Sequence, residues 1–245
     1  MSPFQISIRP FGDFAVLVEW PDKVEEQILN DILHFIHHLK THHLNEKEWE
    51  MVPAYNSLAL IHREGKIDYK NFSVELQEWY SQKSGDHRTE QFIWELPVCY
   101  EGDFAIDLME VAQKLNLTPS YIISMHTQHV YTVYGIGFLP GFMYLGGLPP
   151  ALEIPRRETP RLKVEQGSVG LAGKQTGIYP QESPGGWNII GNCPVPMFNK
   201  EKENPCFVNV GDKIKFYSIT KGEYDLLKLQ GEVGIYKLKK TKVDA

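Results

Sequence analysis

The sequence lacks the features that would place it in several common classes. Its three cysteines, Cys99, Cys193 and Cys206, are odd in number and include no C-x-x-C. Neither a disulfide framework nor a zinc knuckle is expected, and the thiols read as free and buried. No run approaches the eighteen or so apolar residues that a membrane-spanning helix needs. The opening Met1-Ser2-Pro3-Phe4-Gln5 lacks the charged start and apolar core of a secretory signal, so a cytoplasmic location is expected. There is no basic excess either: residues 1–90 hold nine Lys/Arg against fifteen Asp/Glu, and residues 91–245 hold sixteen of each. Binding to a nucleic-acid backbone is therefore not expected. No internal repeat or low-complexity tract is present.

Apolar material is ample. Hydrophobic residues make up 42% and aromatics 12% of the 245 residues, which excludes a disordered chain and suits one large domain or two small ones. Phe4 to Ile8 alternates with period two, Asp13 to Trp20 reads as a second strand, and Gly12-Asp13 can turn a hairpin between them. A helix is expected from Asp22, where Asp22 and Glu25 form a capping-box pattern. Val24, Ile28, Ile32, Phe35, Ile36 and Leu39 would be its apolar stripe. Two short strands follow at 48–52 and 55–61, around Pro53, then a helix burying Phe72, Leu76, Trp79 and Tyr80, then a strand at 91–96. From Asp13 onward this is β-α-β-β-α-β, the order of ferredoxin-like sheets. The polar stretch 81–87 reads as a loop near the boundary between a first domain, 1–90, and a second, 91–245.

The second part changes character. Residues 103–115 read as a helix with Leu108, Val111, Ala112 and Leu115 inward, and Thr118-Pro119 opens another. From Val130 no long helical pattern appears until the terminus, and short apolar runs broken by Gly and Pro suggest an antiparallel barrel or sandwich. Between Gly135 and Gly191 lie twelve of the twenty glycines and seven of the sixteen prolines. Such segments can free backbone N–H groups to cradle an anion, or simply turn tight corners. Arg156, Arg157, Arg161, Lys163 and Lys174 lie among them, a group suited to phosphate or carboxylate. Glu158 and Glu165 can instead hold some of these cations in surface ion pairs.

Two lures are set aside. Residues 167–175 resemble a phosphate-binding P-loop, but the spacing is one residue too long, Gln175 replaces the magnesium-binding Ser/Thr, and no helical pattern follows. His34, His38 and His42 share a helix face, but no Glu accompanies them as in H-E-x-x-H, and His42-His43 fall at the helix end. With His37, they read as a solvated polar face, and no metal site is expected. His126 and His129 precede the first glycine-rich loop, where His126 could relay a proton. No Ser-centred triad assembles, because Ser168 and Ser183 lack a Gly-x-Ser-x-Gly elbow.

Several stretches then carry a resemblance in chain order. They are Val52-Pro53-Ala54-Tyr55-Asn56-Ser57-Leu58, Leu96-Pro97-Val98-Cys99-Tyr100 and Gly137-Phe138-Leu139-Pro140-Gly141-Phe142-Met143-Tyr144-Leu145-Gly146-Gly147, followed by Pro155-Arg156-Arg157-Glu158-Thr159-Pro160-Arg161. Gly167-Ser168-Val169-Gly170, Gln175-Thr176-Gly177-Ile178-Tyr179-Pro180 and Ser183-Pro184-Gly185-Gly186-Trp187 complete the series. Together they resemble the family of 5-oxoprolinase B subunits, which includes the sporulation kinase inhibitor KipI and proteins labelled allophanate hydrolase subunit 1. Lys174 and Ala105-Ile106 depart from that pattern, standing where a small residue and Gly-Pro are usual. The resemblance implies an α+β chain with an N-terminal ferredoxin-like domain and a C-terminal cyclophilin-like β-barrel. It further implies two partners of the 5-oxoprolinase complex, its A subunit plus a cyclophilin-like C subunit. The activity implied is ATP-dependent opening of 5-oxoproline to glutamate. ATP, with Mg if required, would be bound by the assembled complex. The expected site has Arg157, Arg161 and His126 as catalytic residues. Arg156, Gly173, Lys174, Gln175, Thr176, Gly177, Tyr179, Gly185, Gly186 and Trp187, with Gly137, Phe138, Pro140 and Gly141, would bind substrate or phosphate. The competing expectation is a KipI-like protein that binds and inhibits a histidine kinase.

Overall fold

The structure is a computed structural model that describes residues 4–83 and 90–243. The chain divides into two compact units, Met1–Glu90 and Gln91–Ala245. The first contains β1 (Ser7–Pro10), β2 (Ala15–Glu19), α1 (Glu26–His42), β3 (Trp49–Ala54), β4 (Ser57–His62) and α2 (Tyr69–Gln82). Its strands form one antiparallel sheet in the order β1-β2-β4-β3. Period-two alternation puts Val16, Val18, Leu58 and Leu60 on one face. There they pack against Ile28, Ile32, Phe35 and Leu39 of α1 and Phe72, Leu76 and Tyr80 of α2. Pro53 is tolerated because β3 is an edge strand. Asp31, on the buried side of α1, accepts hydrogen bonds from Trp20 Nε1 (2.8 Å) and the Tyr80 hydroxyl (2.6 Å) and pairs with the buried Lys83 ammonium.

Two expectations change here. The capping pattern at Asp22 is not used: α1 begins at Glu26 after Glu25, which makes no side-chain cap, and Val24 is exposed. The Pro21–Lys23 backbone turn, with Lys23 N–H on Pro21 O, takes up the intervening residues. The strand expected to complete β-α-β-β-α-β does not join this sheet; β1 pairs with β2 in its stead. Most of the predicted 81–87 loop (84–87) lies outside the described residues, while Ser81 and Gln82 end α2.

The second unit begins with β5 (Phe92–Cys99), which contains that missing strand, followed by a short 3-10 turn, Gly102–Ala105. Next come α3 (Leu108–Leu115), α4 (Pro119–Gln128), β6 (Val130–Ile136), β7 (Met143–Gly146), β8 (Arg161–Val164), β9 (Ser168–Ala172) and β10 (Gln175–Ile178). The unit finishes with β11 (Ser183–Gly185), β12 (Asn188–Asn192), β13 (Lys213–Ile219), α5 (Lys221–Glu232) and β14 (Lys239–Lys242). Pairing runs β12-β9-β10-β7-β6-β13-β5, and a β12–β5 contact closes the ring into a seven-stranded barrel, with β14 added on β5. All neighbours in this ring are antiparallel except β13 and β5. The expected single helix over 103–115 is broken, because Asp107 N–H bonds Ile189 O instead of extending a helix. Thr118 caps α4 by accepting the Tyr121 N–H at 3.2 Å, with Pro119 at the first helical position.

Alternation along the barrel strands produces two apolar layers. Met143, Leu145, Val169, Leu171 and Ile178 point into the barrel. Phe142, Ala172, Tyr179, Trp187 and Ile189 form a separate cluster with Tyr144 and Val164 on its outside.

Candidate functional site

The outer cluster lies under an arm made of β8 and β11, which pair as their own two-stranded sheet. Phe142 is its hub, in edge-to-face contact with Tyr144 (4.9 Å), Trp187 (5.4 Å) and Tyr179 (5.5 Å). The rings can sit this close to the barrel because β9 and β10 present glycine beneath them. A Cβ on Gly170 would stand 2.9 Å from the Trp187 Cβ. One on Gly177 would stand 2.9 Å from Met143 O and 3.0 Å from the Trp187 ring. Gly177→Val is therefore expected to cost about 1–3 kcal/mol by overpacking and to lower the midpoint of thermal unfolding; an unchanged midpoint would show that the cluster is loose.

The Arg156 guanidinium, exposed to solvent, stands 6.0 Å from the Trp187 ring centroid. Arg157 and Arg161 are held differently. Both donate to Asp107 Oδ1, at 3.1 and 2.5 Å, and Arg157 also reaches Glu110 Oε2 at 3.0 Å. Asp107 is 2% exposed, and its second oxygen accepts the Ile189 N–H at 2.6 Å. One carboxylate thus ties the arm, the start of α3 and β12 together. Lys114 and then Arg157 lower the Glu110 pKa to about 2, and Glu110 in turn raises that of Arg157. Arg157 Nε and Arg161 Nη1 are enclosed without a partner among the described residues. Arg157 N–H also bonds Gly186 O, and Asn188 Nδ2 bonds Pro155 O, fastening the loop that carries Arg156.

The other residues that the sequence suggested for the site differ in exposure and in how their backbone is used. Gly173–Gly177 is not a free loop: Gly173 N–H bonds Ile154 O, and residues 175–178 form the ladder of β10 with β9. The Gly173 N–H and the β10 ladder thus serve the barrel. Lys174 is exposed at the hairpin turn, Gln175 is half-buried, and Thr176 is enclosed within the barrel. Gly137–Gly141 forms a tight turn through Gly137 N–H to Phe142 O and Phe142 N–H to Leu139 O, with Pro140 exposed. Its tip, Phe138, is 65% exposed and held at φ 69°, a strained conformation for a side-chain-bearing residue. Gly185 pairs with Arg161 and lies beneath the Tyr179 ring. Lys163 is paired with Glu165 and Glu182.

His126 is wholly buried, not poised at the surface. Its Nδ1 faces the Tyr100 hydroxyl at 2.7 Å and its Nε2 faces Thr176 Oγ1 at 3.0 Å. Thr176 has one hydroxyl proton, which it donates to Gly170 O. It must therefore accept from Nε2–H, leaving Nδ1 to accept from Tyr100. Burial drives the His126 pKa down to about 3, so the ring is neutral and fastens α4 to the barrel. His129 is exposed beside Met125 O. The three cysteines are free, and burial pushes the Cys193 thiol up to about 12. No helix of the described residues is long and apolar enough to cross a membrane.

Sequence reasoning missed Asp107, Glu110 and Tyr144. The two acids were absorbed into a helix pattern, and their arginine partners lie about fifty residues away, beyond any local signal.

The family described as "Carboxyltransferase domain, subdomain C and D" matches residues 6–208. The fold is that of the crystal structure of the K. lactis urea amidolyase, with TM-score 0.80 and 20% identity over 97% of this chain and 16% of that one. The crystal structure of TTHA0988 is 30% identical with TM-score 0.71, covering 87% of this chain and 40% of that longer chain. The 5-oxoprolinase B subunit of Bacillus subtilis is 33% identical over 235 residues, 90% of this chain and 96% of its own. This chain belongs to the family of 5-oxoprolinase B subunits.

Proposed function

We propose that this chain is the B subunit of an ATP-dependent 5-oxoprolinase that opens 5-oxo-L-proline to L-glutamate in the cytoplasm. The observation that carries the reading is the 33% identity to the B. subtilis 5-oxoprolinase chain over 96% of that relative's length. The partners are the A subunit of the complex plus a cyclophilin-like C subunit. Partnership is supported by a homologous chain of which this one covers only 40%. The two units are read as a ferredoxin-like variant, with β1 in the place of the closing strand, and a cyclophilin-like barrel.

A lactam is a poor electrophile. Phosphorylation of its amide oxygen by ATP, with ADP leaving, activates the ring carbon; water adds there and the C–N bond breaks. The acyl phosphate that remains is hydrolysed by a second water. Stabilising the charge that develops on the transferred group calls for fixed cations. In this chain Arg156 is an exposed cation of the site, set against the Trp187 ring, which the tilted Tyr144 ring flanks at 6.3 Å. Arg157 and Arg161 are positioning residues, because Asp107 and Glu110 engage them. ATP, with any Mg, is held by the assembled complex. Mixing this chain with the purified A and C subunits is expected to release glutamate from 5-oxoproline only when ATP is present. A well-assembled mixture that releases none would favour a kinase-inhibitor role instead.

A further inference from the structure

We propose that His38 and His43 form a clamp for a zinc-like divalent cation at the C-terminal end of α1. The helix stops at His42, and His43 leaves helical geometry at φ −132° and ψ −41° while its N–H still bonds Leu39 O. The two Nε2 atoms, five residues apart in sequence, then stand 3.3 Å from each other. Two imidazoles on one tetrahedral zinc have this spacing: Zn–N bonds of about 2.0–2.1 Å place the ligand atoms about 3.3–3.4 Å apart. The pair is not the i, i+4 series of His34, His38 and His42 that the sequence displays, and it exists because the helix ends where it does.

Both rings are held in place. His43 lies flat on the Trp79 indole, at 4.3 Å and 13°, and His38 is half-buried beside it. The His42 ring is 4.9 Å from His38. A contact between two Nε2 atoms needs one proton between them, and two protonated rings would repel. A cation held between them takes both Nε2 lone pairs, and the proton of the contact moves to the Nδ1 of its own ring. The nearby Lys83 ammonium opposes a cation, but Asp31 neutralises it. Imidazole pairs suit zinc, copper or nickel and not magnesium or calcium. No group of three or more His, Cys, Asp or Glu converges among the described residues. Water therefore completes the coordination shell, and the site is an exchangeable one.

The test is calorimetric titration of zinc into the tag-free full-length chain, with circular dichroism to establish that each variant is folded. One ion per chain is expected. His38→Gln and His43→Gln should each weaken binding by at least about tenfold, and His37→Gln should leave it unchanged. Absence of binding up to millimolar zinc would overturn the proposal, as would one-to-one binding that survives both replacements.

Discussion

Replacing Asp107 by Ala is expected to destabilise the second unit by about 3–5 kcal/mol, the usual consequence of removing one partner from a buried ion pair. The carboxylate is 2% exposed and serves two guanidiniums and one backbone N–H. Arg157 and Arg161 each already enclose one nitrogen without a partner, so loss of Asp107 leaves partly buried charge with little to offset it. Asp107→Asn keeps an acceptor for Ile189 N–H and should cost less. Chemical denaturation of the three proteins measures the difference. Equal stability of Asp107→Ala and the native chain would mean that the arm is not anchored there.

The second large effect is acid destabilisation centred on His126. Its folded pKa, about 3, lies below the unfolded value of about 6.5. The folded state therefore favours the neutral ring, and the unfolded chain binds the extra proton between those two values. Stability from this group is complete above about pH 6.5 and is lost as pH falls toward 3, roughly 4–5 kcal/mol in all. His126→Asn removes the titrating group. The stability gap between native chain and variant should narrow steadily as pH is lowered from 7 to 4. A gap independent of pH would show that His126 is not held neutral by burial.

Signals confined to a few neighbouring residues were legible in the sequence. The Gly12 hairpin, the Phe72–Leu76–Tyr80 stripe and the Thr118-Pro119 cap each depend on local chemistry, and all appear in the structure. Features fixed by distant partners were not legible. The strand at 91–96 alternates as any strand does, and only its pairing with β13 and β14 decides which sheet receives it. The glycines at 170 and 177 looked like loop residues, yet they are flat places on a barrel strand where Trp187 and Phe142 rest. Lys163, like Arg157 and Arg161, looked available for an anion, but carboxylates hold all three. Of Arg156, Arg157 and Arg161, Arg156 alone has no carboxylate partner among the described residues, and it therefore leads the proposed site.

That this chain contributes Arg156, set beside the outer aromatic cluster, to a 5-oxoprolinase is tested most directly by measuring ATP-dependent glutamate release from a reconstituted complex carrying Arg156→Ala. Turnover is expected to fall by about 100-fold or more, the scale of losing one charge-stabilising group, while the subunits still elute together. Native turnover in an intact complex containing Arg156→Ala would contradict the account.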